Sequence, residues 1–509
     1  MEHMGWISLV PPLVAVILAV ITKNVIVSLF SGVYIGVLIL VGGRPLEATT
    51  ETIGNFLFPQ VADSYNAAIL VLLFFIGGFV ALMEKSGGGA ALALSAVKHI
   101  NTKAKAQLSA WFGGIIIFFS DLGTPLIVGP VFDKIFDKAK ISREKLAWII
   151  DSTSSPVAVL IPFIGWGVYI MGLMKNEFDA AGLALSEFDT LVQVIPFQFY
   201  AILTVLMIPL VAVTKLDFGP MAKAERRVRE TGELYWPESK PLRRPETDGK
   251  AVSAEKGRAI LIWLPLLVLF VTLFGLLMSF GFPFEPVAGN DFRVSLTTAY
   301  LLAAVSIVIL MIVYKVKKFS EIFDIYTKGM QKMVYVAVTL VLAWSLGKVI
   351  GDMGTAAYIV EAIQGNVPAF IIPAILFLVG AAMSLASGSS WGTYAIMLPI
   401  AIPMALALDA HMLVCIGAVL SGGIFGDHCS PISDTTILSS TGAGADHLDH
   451  VKTQFPYAVT NGTIALIGFL VAGVTGSALT LLLTIVLLVL AVFILSKVYG
   501  VKTLREARV

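Results

Sequence analysis

Long apolar stretches separated by short polar connections run through the whole sequence. A helix needs about 20 predominantly apolar residues to cross a bilayer. Stretches that meet this requirement are 7–21, 25–41, 67–83, 147–172, 191–213, 259–280, 296–314, 333–350, 455–475 and 478–496. Three more apolar stretches, each interrupted by polar residues, are 106–132, 370–408 and 413–441. The pattern predicts an all-α polytopic membrane protein whose first stretch is a retained helix and not a cleaved signal peptide.

The composition agrees with a lipid environment. Of the 509 residues, 57% are hydrophobic and 14% are charged, whereas soluble domains carry about 25% charged residues. The net charge of +1 and the lack of a basic tract give no indication of nucleic-acid binding. Cys415 and Cys429 both lie in apolar surroundings, so a disulfide framework is not indicated. Membrane lipid is the partner that the composition predicts.

Lys and Arg orient the helices, because these residues accumulate in cytoplasmic connections. The most basic connection, 215–258, carries eleven Lys or Arg against eight Asp or Glu. We interpret residues 214–258 as a cytoplasmic linker between two halves of the chain. The acidic connections near 177–189 and 285–291 are then external. This assignment predicts a multi-pass protein of the inner (plasma) membrane with an external N-terminus and a cytoplasmic C-terminus.

The stretch 106–132 has basic residues on both sides. At about 1.5 Å per residue it is long enough to cross the membrane once, but a crossing would export one basic flank. Pro and Gly in the central segment 120–125 end one helix and start another. A re-entrant helical hairpin satisfies both observations. The alternative is a single helix kinked at Pro125.

The second half of the chain repeats this plan with the opposite charge bias. The interrupted stretch 370–408 has no cation in its flanks, which fits the outside. Each hairpin precedes a helix broken by an acidic Ser-Pro element, at 151–156 in the first half and 427–431 in the second. Order, spacing and charge bias indicate two inverted-topology repeats. The predicted units are repeat 1–213 (hairpin about 106–132, broken helix about 147–172), linker 214–258, repeat 259–475 (hairpin about 370–408, broken helix about 413–441) and an extra C-terminal transmembrane helix and tail, 476–509.

Four acidic residues lie inside the interrupted segments: Asp121, Asp151, Asp427 and Asp434. A carboxylate at the bilayer centre costs about 2.5–3.5 kcal/mol on insertion scales, so it faces a cavity or a partner. No Lys or Arg lies in the same segments to neutralise these residues. We therefore predict a mobile counter-charge, either a metal cation or a proton. The structural alternative is an Asp that caps the second half of a broken helix, and for Asp121 both interpretations stay open.

The neighbouring residues suit a hard cation such as Na+. Ser and Thr hydroxyls, and the carbonyls freed by Pro156 and Pro431, supply oxygen ligands. Helix C-terminal ends add partial negative charge. Asp427 and Asp434 are seven residues apart, which is two turns on one helical face if Pro431 leaves the helix regular. With Na+ placed at the Asp151 and Asp427 regions, the candidate ion- or substrate-binding residues are Ser120, Asp121, Thr124, Asp151, Ser152, Thr153, Ser154, Ser387, Ser389, Ser390, Asp427, Ser430, Asp434 and Thr435.

Histidine titrates near neutral pH, so His428 joins Asp151 and Asp427 as a candidate proton carrier. The alternative is a packed, hydrogen-bonded histidine. The segment 446–450, Asp-His-Leu-Asp-His, looks like a metal or pH-sensing site, but its charge pattern favours a solvated turn. A zinc site at His428 and Cys429 lacks the four ligands that zinc needs. No cofactor is therefore expected beyond Na+ and H+ as transported or coupling ions.

Two motifs carry a family resemblance. The run GDHCSPISDTTILSS at 426–440 resembles the signature of the NhaC-type sodium/proton antiporters. The run REKLAWIIDSTSSP at 143–156 is similar to the matching stretch of their first half. With the hairpins, the resemblance covers about 105–450, and it places the chain in the ion transporter superfamily. It implies a scaffold domain and a transport domain of two hairpins and two broken helices, which moves as an elevator, commonly in a homodimer.

The sequence leaves three functions to compare. The first is a sodium/proton antiporter that exchanges Na+ and H+ at a shared acidic midplane site. The second is a Na+- or H+-coupled carrier of a small organic solute, because the resemblance extends to exchangers of malate and lactate and to suspected amino-acid carriers. The backbone amides of 387–390 at a hairpin tip would suit a substrate carboxylate. The third is an intramembrane aspartyl protease with Asp151 and Asp427 as a dyad, for which the hairpins are superfluous. We expect a transporter and not an enzyme.

Overall fold

The structure is a computed structural model that describes residues 3–97, 100–241, 243, 257–282, 284–285, 287–363 and 367–500. Every regular element of these residues is helical. The first half contains α1 (Val10–Thr22), α2 (Val25–Leu40), α3 (Pro45–Glu51), α4 (Phe58–Ala62), α5 (Ser64–Lys85), α6 (Gly88–Val97), α7 (Lys103–Ile116), α8 (Gly123–Lys138), α9 (Arg143–Ser152), α10 (Ser155–Ala158), α11 (Gly165–Ala180), α12 (Glu187–Val194), α13 (Phe199–Thr214) and α14 (Gly219–Thr231).

The second half contains α15 (Ile260–Ser279), α16 (Gly289–Val313), α17 (Phe319–Lys332), α18 (Val334–Asp352), α19 (Thr355–Ile363), α20 (Ile372–Ser387), α21 (Ser390–Ala407), α22 (Met412–Cys429), α23 (Asp434–Ala443), α24 (His447–Thr475) and α25 (Thr480–Tyr499). Short 3-10 helices are Gly5–Leu9, Ile195–Phe197 and Ala369–Ile371, and a π-helical segment, Thr52–Leu57, joins α3 to α4.

Ten helices of the described residues are long and apolar enough to cross a membrane, or up to twelve if each of two bent helix pairs forms one span. The bent pairs are Val25–Leu40 with Pro45–Ala62, at 118°, and Glu187–Phe197 with Phe199–Thr214, at 52°. The most apolar helix, α25, has a mean hydropathy of 2.9 and is 17% buried, whereas α22 has a value of 1.5 and is 83% buried. Apolar side chains therefore face outward and polar helices lie inside, as expected of a multi-pass membrane protein.

The first interrupted stretch folds as a helical hairpin with arms α7 and α8. Lys103, at the start of α7, donates through Nζ to the carbonyl of Lys140, just after α8, at 2.5 Å. The two basic flanks therefore lie together, which excludes a single helix kinked at Pro125. Pro125 is instead in the first turn of α8, where a missing N–H leaves no helical hydrogen bond unmade.

The second interrupted stretch forms the arms α20 and α21, which turn at Gly388 in the left-handed region (φ 68°). The two breaks in the acidic helices have different forms. In the second half, 430–433 separates α22 from α23. In the first half, α9 ends at the Ser-Pro element, but 159–164 adds a further interruption before α11. The predicted broken helix 147–172 is therefore three helices.

Three other segments differ from the apolar pattern. The predicted span 191–213 is wrong as a single helix, because a bend at Gln198 separates α12 and its 3-10 turn from α13. Short helices α3 and α4 follow α2 without having been predicted. The linker contains α14, whose Arg227 is buried and bonds both oxygens of Glu144 in α9 at 3.0 Å. Linker residues 242 and 244–256 lie outside the described part of the chain.

Helix contacts recur in a matching pattern in the two halves. α7 packs on α13 as α20 packs on α24, and α8 packs on α23 as α21 packs on α11. In a second group of helices, α2 packs on α18 and α16 packs on α5. The helices α9 and α22 lie at the centre of the first group. All residues of α9 are buried, including its charged residues.

Candidate functional site

Asp151 lies in the last turn of α9, at the point where this helix ends. The helix ends because Ser154 leaves helical geometry (ψ −106°) and Pro156, in the first turn of α10, has no N–H to donate to a preceding carbonyl. The Asp151 side chain is 1% exposed. The break therefore places a carboxylate in the interior of the protein.

Four side chains from the second half of the sequence surround this carboxylate. Ser439 Oγ donates to Asp151 Oδ1 at 3.2 Å, and Gln454 Nε2 donates to Oδ2 at 2.7 Å. His450 Nε2 lies 3.3 Å and His428 Nε2 lies 3.9 Å from Oδ2. No Lys or Arg of the described residues forms an ion pair with Asp151. The Asp151 carboxylate is therefore surrounded by neutral hydrogen-bond donors and two histidines.

His428 connects the two broken helices. Its Nε2 is 3.2 Å from Ser152 Oγ in α9, and its Nδ1 is 2.8 Å from the hydroxyl of Tyr200 in α13. The backbone carbonyl of His428 accepts a hydrogen bond from Gln454 at 2.5 Å. Partners at both ring nitrogens fix the orientation of an imidazole. This is the packed arrangement that the sequence left as the alternative to a proton carrier.

Asp427 lies in the last turn of α22 and is 5% exposed. Its Oδ2 is 3.4 Å from Ser390 Oγ, at the tip of the second hairpin. Ser430, in the break itself, donates through its hydroxyl to the carbonyl of Leu385 in α20 at 2.8 Å. The tip of the second hairpin is therefore joined to the second break, with Asp427 between them.

Asp121 lies at the tip of the first hairpin, which is joined to the first break. Trp166 Nε1 donates to Asp121 Oδ2 at 3.1 Å, and the N–H of Leu122 donates to Oδ1 at 2.9 Å. The hydroxyl of Ser154 donates to the Asp121 carbonyl. Each carboxylate oxygen of Asp121 therefore accepts a hydrogen bond from within the protein, and neither oxygen needs a cation as a partner.

Several candidate hydroxyls have partners within the backbone. Thr153 Oγ1 donates at 2.8 Å and Thr124 Oγ1 at 3.0 Å to the carbonyl four residues earlier, as such residues commonly do in helices. Ser389 Oγ caps α21. Ser120 Oγ donates at 2.5 Å to Glu84 Oε1, a carboxylate that the sequence analysis did not consider.

Three candidates lie apart from the buried carboxylates. Asp434 is exposed in the first turn of α23. Thr435 Oγ1 is 3.0 Å from Ser433 Oγ, and Ser387, which ends α20, has no side-chain hydrogen bond to the described residues. The prediction that Asp427 and Asp434 share one helical face is wrong, because the break assigns them to different helices.

The segment 446–450 is not a solvated turn. Asp446 caps α24 by accepting the N–H of Asp449 at 2.9 Å, and it also accepts the N–H of Lys240 at 2.7 Å. Asp449 in turn accepts the hydroxyl of Ser239. The two carboxylates therefore hold the end of the described linker against the start of α24.

Gln454 is a functional candidate that sequence reasoning missed, and His450 is one that it set aside as part of a solvated turn. His450 is 0% exposed and Gln454 is 1% exposed. They are four residues apart on α24, so both side chains point from one face of the helix toward Asp151. The available signal was this spacing of two polar residues ahead of an apolar stretch.

Several buried polar atoms near the two breaks have no partner among the described residues: Ser155 Oγ, Thr436 Oγ1, Gln454 Oε1 and His450 Nδ1. Buried polar groups in proteins nearly always have a partner, so these atoms are free to bind water or a cation. Three of the four are oxygens, the ligand type that alkali cations prefer. The donor set near Asp151 therefore fits a hard cation.

A model of the Na+/H+ antiporter family matches residues 157–474, which is more than half of the chain. The chain belongs to the Na+/H+ antiporter family. This family member is 34% identical over 509 aligned residues to an uncharacterized protein of Haemophilus influenzae, with 96% of this chain and 95% of the relative covered. It is 22% identical to the putative amino acid transporter YuiF of Bacillus subtilis, with 80% of this chain and 85% of the relative covered.

Among solved structures, the YdaH transporter of Alcanivorax borkumensis has a TM-score of 0.56 at 16% sequence identity, covering 86% of this chain and 91% of that one. The likeness shows an all-helical membrane-transporter fold. The family and the transporter relatives support the assignment of this antiporter family member as a secondary transporter. The names of the family and the relatives indicate a transporter rather than an enzyme.

Proposed function

We propose that this antiporter family member exchanges Na+ and H+ at a shared site formed by the Asp151 and Asp427 regions. One observation carries the proposal: Asp151 and Asp427 are buried at two helix breaks, and neither carboxylate forms an ion pair with a Lys or Arg of the described residues. His428 of α22 joins the two broken helices through Ser152 of α9. An uncompensated buried carboxylate costs several kcal/mol. Each carboxylate therefore requires a proton or a cation when the site is closed.

Competition between the two ions would produce exchange. Na+ favours the ionised carboxylate and a proton replaces Na+, so that each loaded form is neutral enough to pass a hydrophobic barrier. The empty, charged form is trapped by its desolvation cost, which prevents a leak. Asp151 and the unpartnered Oε1 of Gln454, whose Nε2 contacts this carboxylate, provide the ligand chemistry for Na+. The unpartnered hydroxyls of Ser155 and Thr436 lie in the helices that follow the two breaks.

The proposed architecture is two inverted repeats that move as scaffold and transport domains. The matching contacts α7–α13 with α20–α24, and α8–α23 with α21–α11, support the repeats. The same contacts group both hairpins with both broken helices, while α2, α5, α16 and α18 form a second group. An elevator would slide the first group, with its site, against the second.

The test is Na+-driven proton movement in proteoliposomes that contain no organic solute. Competition for the same carboxylates predicts that the apparent KM for Na+ rises as pH falls, while the maximal rate changes little. A falling maximal rate with a constant KM would contradict a shared site and would require separate sites for Na+ and H+.

Asp→Asn variants test whether the two breaks form the ion site. Asp151→Asn and Asp427→Asn keep the side-chain shape but remove the charge, so each should abolish exchange in folded protein. Asp409→Asn makes the same chemical change at an exposed position between α21 and α22 and should leave exchange unchanged. Full exchange by the Asp427 variant would show that the ion site does not include the second break.

A second candidate is a Na+- or H+-coupled carrier of a small organic solute. Aromatic rings beside the hairpin tips favour it, with Trp391 lying 4.6 Å from both Trp166 and Tyr169 between ring centroids. The name of YuiF, a putative amino acid transporter, points the same way. Proton movement that requires an added amino acid or organic acid, in an otherwise identical assay, would select this function.

Other properties stay predictions. They are the homodimer, the inner (plasma) membrane location, the external N-terminus and cytoplasmic C-terminus, and the absence of a cofactor other than Na+ and H+. Cysteine labelling of intact cells at Lys140 and at Asn290 would test the orientation, because these residues fall on the predicted cytoplasmic and external sides.

A further inference from the structure

Glu177, in the last turn of α11, is a buried carboxylate outside the site described above. The residue is 4% exposed. Its Oε1 packs against α18 at Gly347, where an added Cβ would lie 2.3 Å from this oxygen. No hydrogen-bond donor or cation contacts the Glu177 carboxylate among the residues that the structure describes. The glycine backbone of α18 therefore contacts the Glu177 carboxylate directly, with no side chain between them.

The cations on the helices packed against α11 already have acidic partners. On α18, Lys348 lies 3.2 Å from Asp352. On α11 itself, Lys175 pairs with Asp179. The sequence of α21 contains no charged residue. None of these groups is left to neutralise Glu177.

The charged and titratable groups of α12 and α5 do not neutralise Glu177 either. Glu187 of α12 accepts hydrogen bonds at 3.1 Å from Arg293 and from the hydroxyl of Tyr65. Glu84 and Lys85 lie at the far end of α5, and Asp189 is a partly buried acid of α12. An ionised Glu177 would therefore be a buried charge without a counter-charge, at a cost of several kcal/mol.

We propose that Glu177 is a titratable carboxylate that couples protonation to movement, because it takes up a proton when α11 closes against α18 and releases it when this contact opens. The inference rests on the proposed function in one respect: the elevator would move α11 and α21 relative to α18. In the closed state the carboxyl group is neutral and tolerates burial. After movement it meets water on the side of the α11–α12 connection, loses H+ to that water and becomes a hydrated carboxylate. When α11 closes again, Glu177 takes a proton back from the same side, so no net proton crosses the membrane through it.

The consequence is that closure of α11 against α18 consumes a proton for which Na+ does not compete. The number of protons exchanged per cation stays that of the shared site. The cycle would also depend on pH on the side predicted to be external, even when Na+ saturates the shared site.

Infrared difference spectroscopy of the purified transporter tests the protonation itself. A pH-jump spectrum should contain a carboxylic-acid C=O band that disappears in Glu177→Gln, a variant that keeps the shape and the neutral charge. Glu187→Gln is the matched control, because Glu187 is also buried but has Arg293 as a partner at 3.1 Å. A band that persists in Glu177→Gln would overturn the proposal. This measurement is independent of transport, so it decides about Glu177 even if Na+/H+ exchange is not observed.

The exchange rate at saturating Na+ in proteoliposomes, measured against the pH on the side predicted to be external, tests the coupling to movement. Glu177→Gln should still exchange the ions, but its rate should lose the dependence on that pH. Gly347→Ala, whose methyl group would push the carboxylate away without changing its chemistry, should weaken the same dependence. A lost infrared band with the wild-type pH dependence in both variants would show a static protonated side chain and would overturn the role of Glu177 in the movement.

Discussion

Gln454 Nε2 donates to Asp151 Oδ2 at 2.7 Å across 303 positions of the sequence. The same nitrogen lies 2.5 Å from the carbonyl of His428. One amide of α24 thus contacts both the carboxylate at the first break and the backbone that follows Asp427. The relative position of the two broken helices depends directly on this side chain.

We expect Gln454→Leu to raise the apparent KM for Na+ about tenfold or more, because hydrogen bonds to charged groups contribute about 1.5–3 kcal/mol. Loss of the amide removes a donor to Asp151 and releases the carbonyl of His428. Na+ titration of proton movement in proteoliposomes measures the effect. Gln193→Leu, at an exposed position of α12, is the control and should retain the wild-type KM. A wild-type KM for Gln454→Leu would mean that the amide has no part in the site.

The positions of both breaks could be predicted from sequence because their causes are local. Pro156 and Pro431 each remove a backbone donor, and Gly388 adopts the left-handed conformation that turns the second hairpin. Basic flanks indicated the first hairpin, whose ends meet at Lys103 and Lys140. Such features act within a few residues and are visible in one sequence.

The surroundings of Asp151 could not be predicted, because they come from tertiary packing. The apolar pattern placed a helix at 455–475, but α24 begins at His447, since its polar first turns are buried against α9. The predicted helix therefore did not lead to Gln454 as a candidate, and the segment that contains His450 was interpreted as a solvated turn. Conversely, Asp434 has the sequence context of a ligand but is exposed, because the chain changes direction between α22 and α23.

A second prediction concerns the close approach of the first hairpin to α23. A Cβ on Gly129 of α8 would lie 2.3 Å from the carbonyl carbon of Gly442, so backbone meets backbone there. Gly129→Ala should lower the melting temperature and abolish exchange, because the hairpin must move away from α23. Gly113→Ala on the other arm is the matched control.

The nearest neighbour of a Cβ at Gly113 is Phe132, at 3.7 Å, which is an ordinary contact. That variant should keep activity and gain up to about 1 kcal/mol from the higher helix propensity of Ala. Melting curves and exchange rates of the two variants, measured side by side, check the prediction. Equal behaviour of the two would show that the α8–α23 contact is not tight.

A third prediction concerns pH and Glu225, in the polar helix α14. Burial raises the pKa of Glu225, while Lys145 lowers it and Asp217 raises it further. Its Oε1 accepts the N–H of Ser142 at 2.7 Å. A group whose pKa is raised in the folded state stabilises the fold below its unfolded pKa, about 4.3 for Glu. That contribution is lost as pH rises through the folded pKa.

The melting temperature of the wild type should therefore fall, relative to that of Glu225→Gln, as pH rises above about 4.3. Gln keeps an oxygen for the N–H of Ser142 but does not titrate. Thermal unfolding in detergent over this pH range measures the difference, with Glu230→Gln at an exposed site of the same helix as control. Parallel pH curves for the wild type and Glu225→Gln would show that Glu225 titrates normally.

The fourth prediction concerns the ion pair between Arg227 of α14 and Glu144 of α9. Both guanidinium nitrogens bond the carboxylate at 3.0 Å, and the two side chains are 4% and 3% exposed. Removing one partner leaves a buried charge unpaired, so Arg227→Met or Glu144→Gln should each cost about 3–5 kcal/mol. The double variant should be more stable than the sum of the two losses predicts, because no charge remains.

The matched pair on the same helix is Arg226 with Glu230, at 2.9 Å but with side chains 36% and 31% exposed. Water screens this pair, so the same substitutions there should cost about 0.2–1 kcal/mol. Thermal unfolding of the four variants of each cycle gives both coupling energies. Because α14 packs directly on α9, the buried pair should also affect exchange by loosening the helix that carries Asp151. Equal coupling in the two cycles would mean that the buried pair gains nothing from its burial, and that α14 does not hold α9 in place through it.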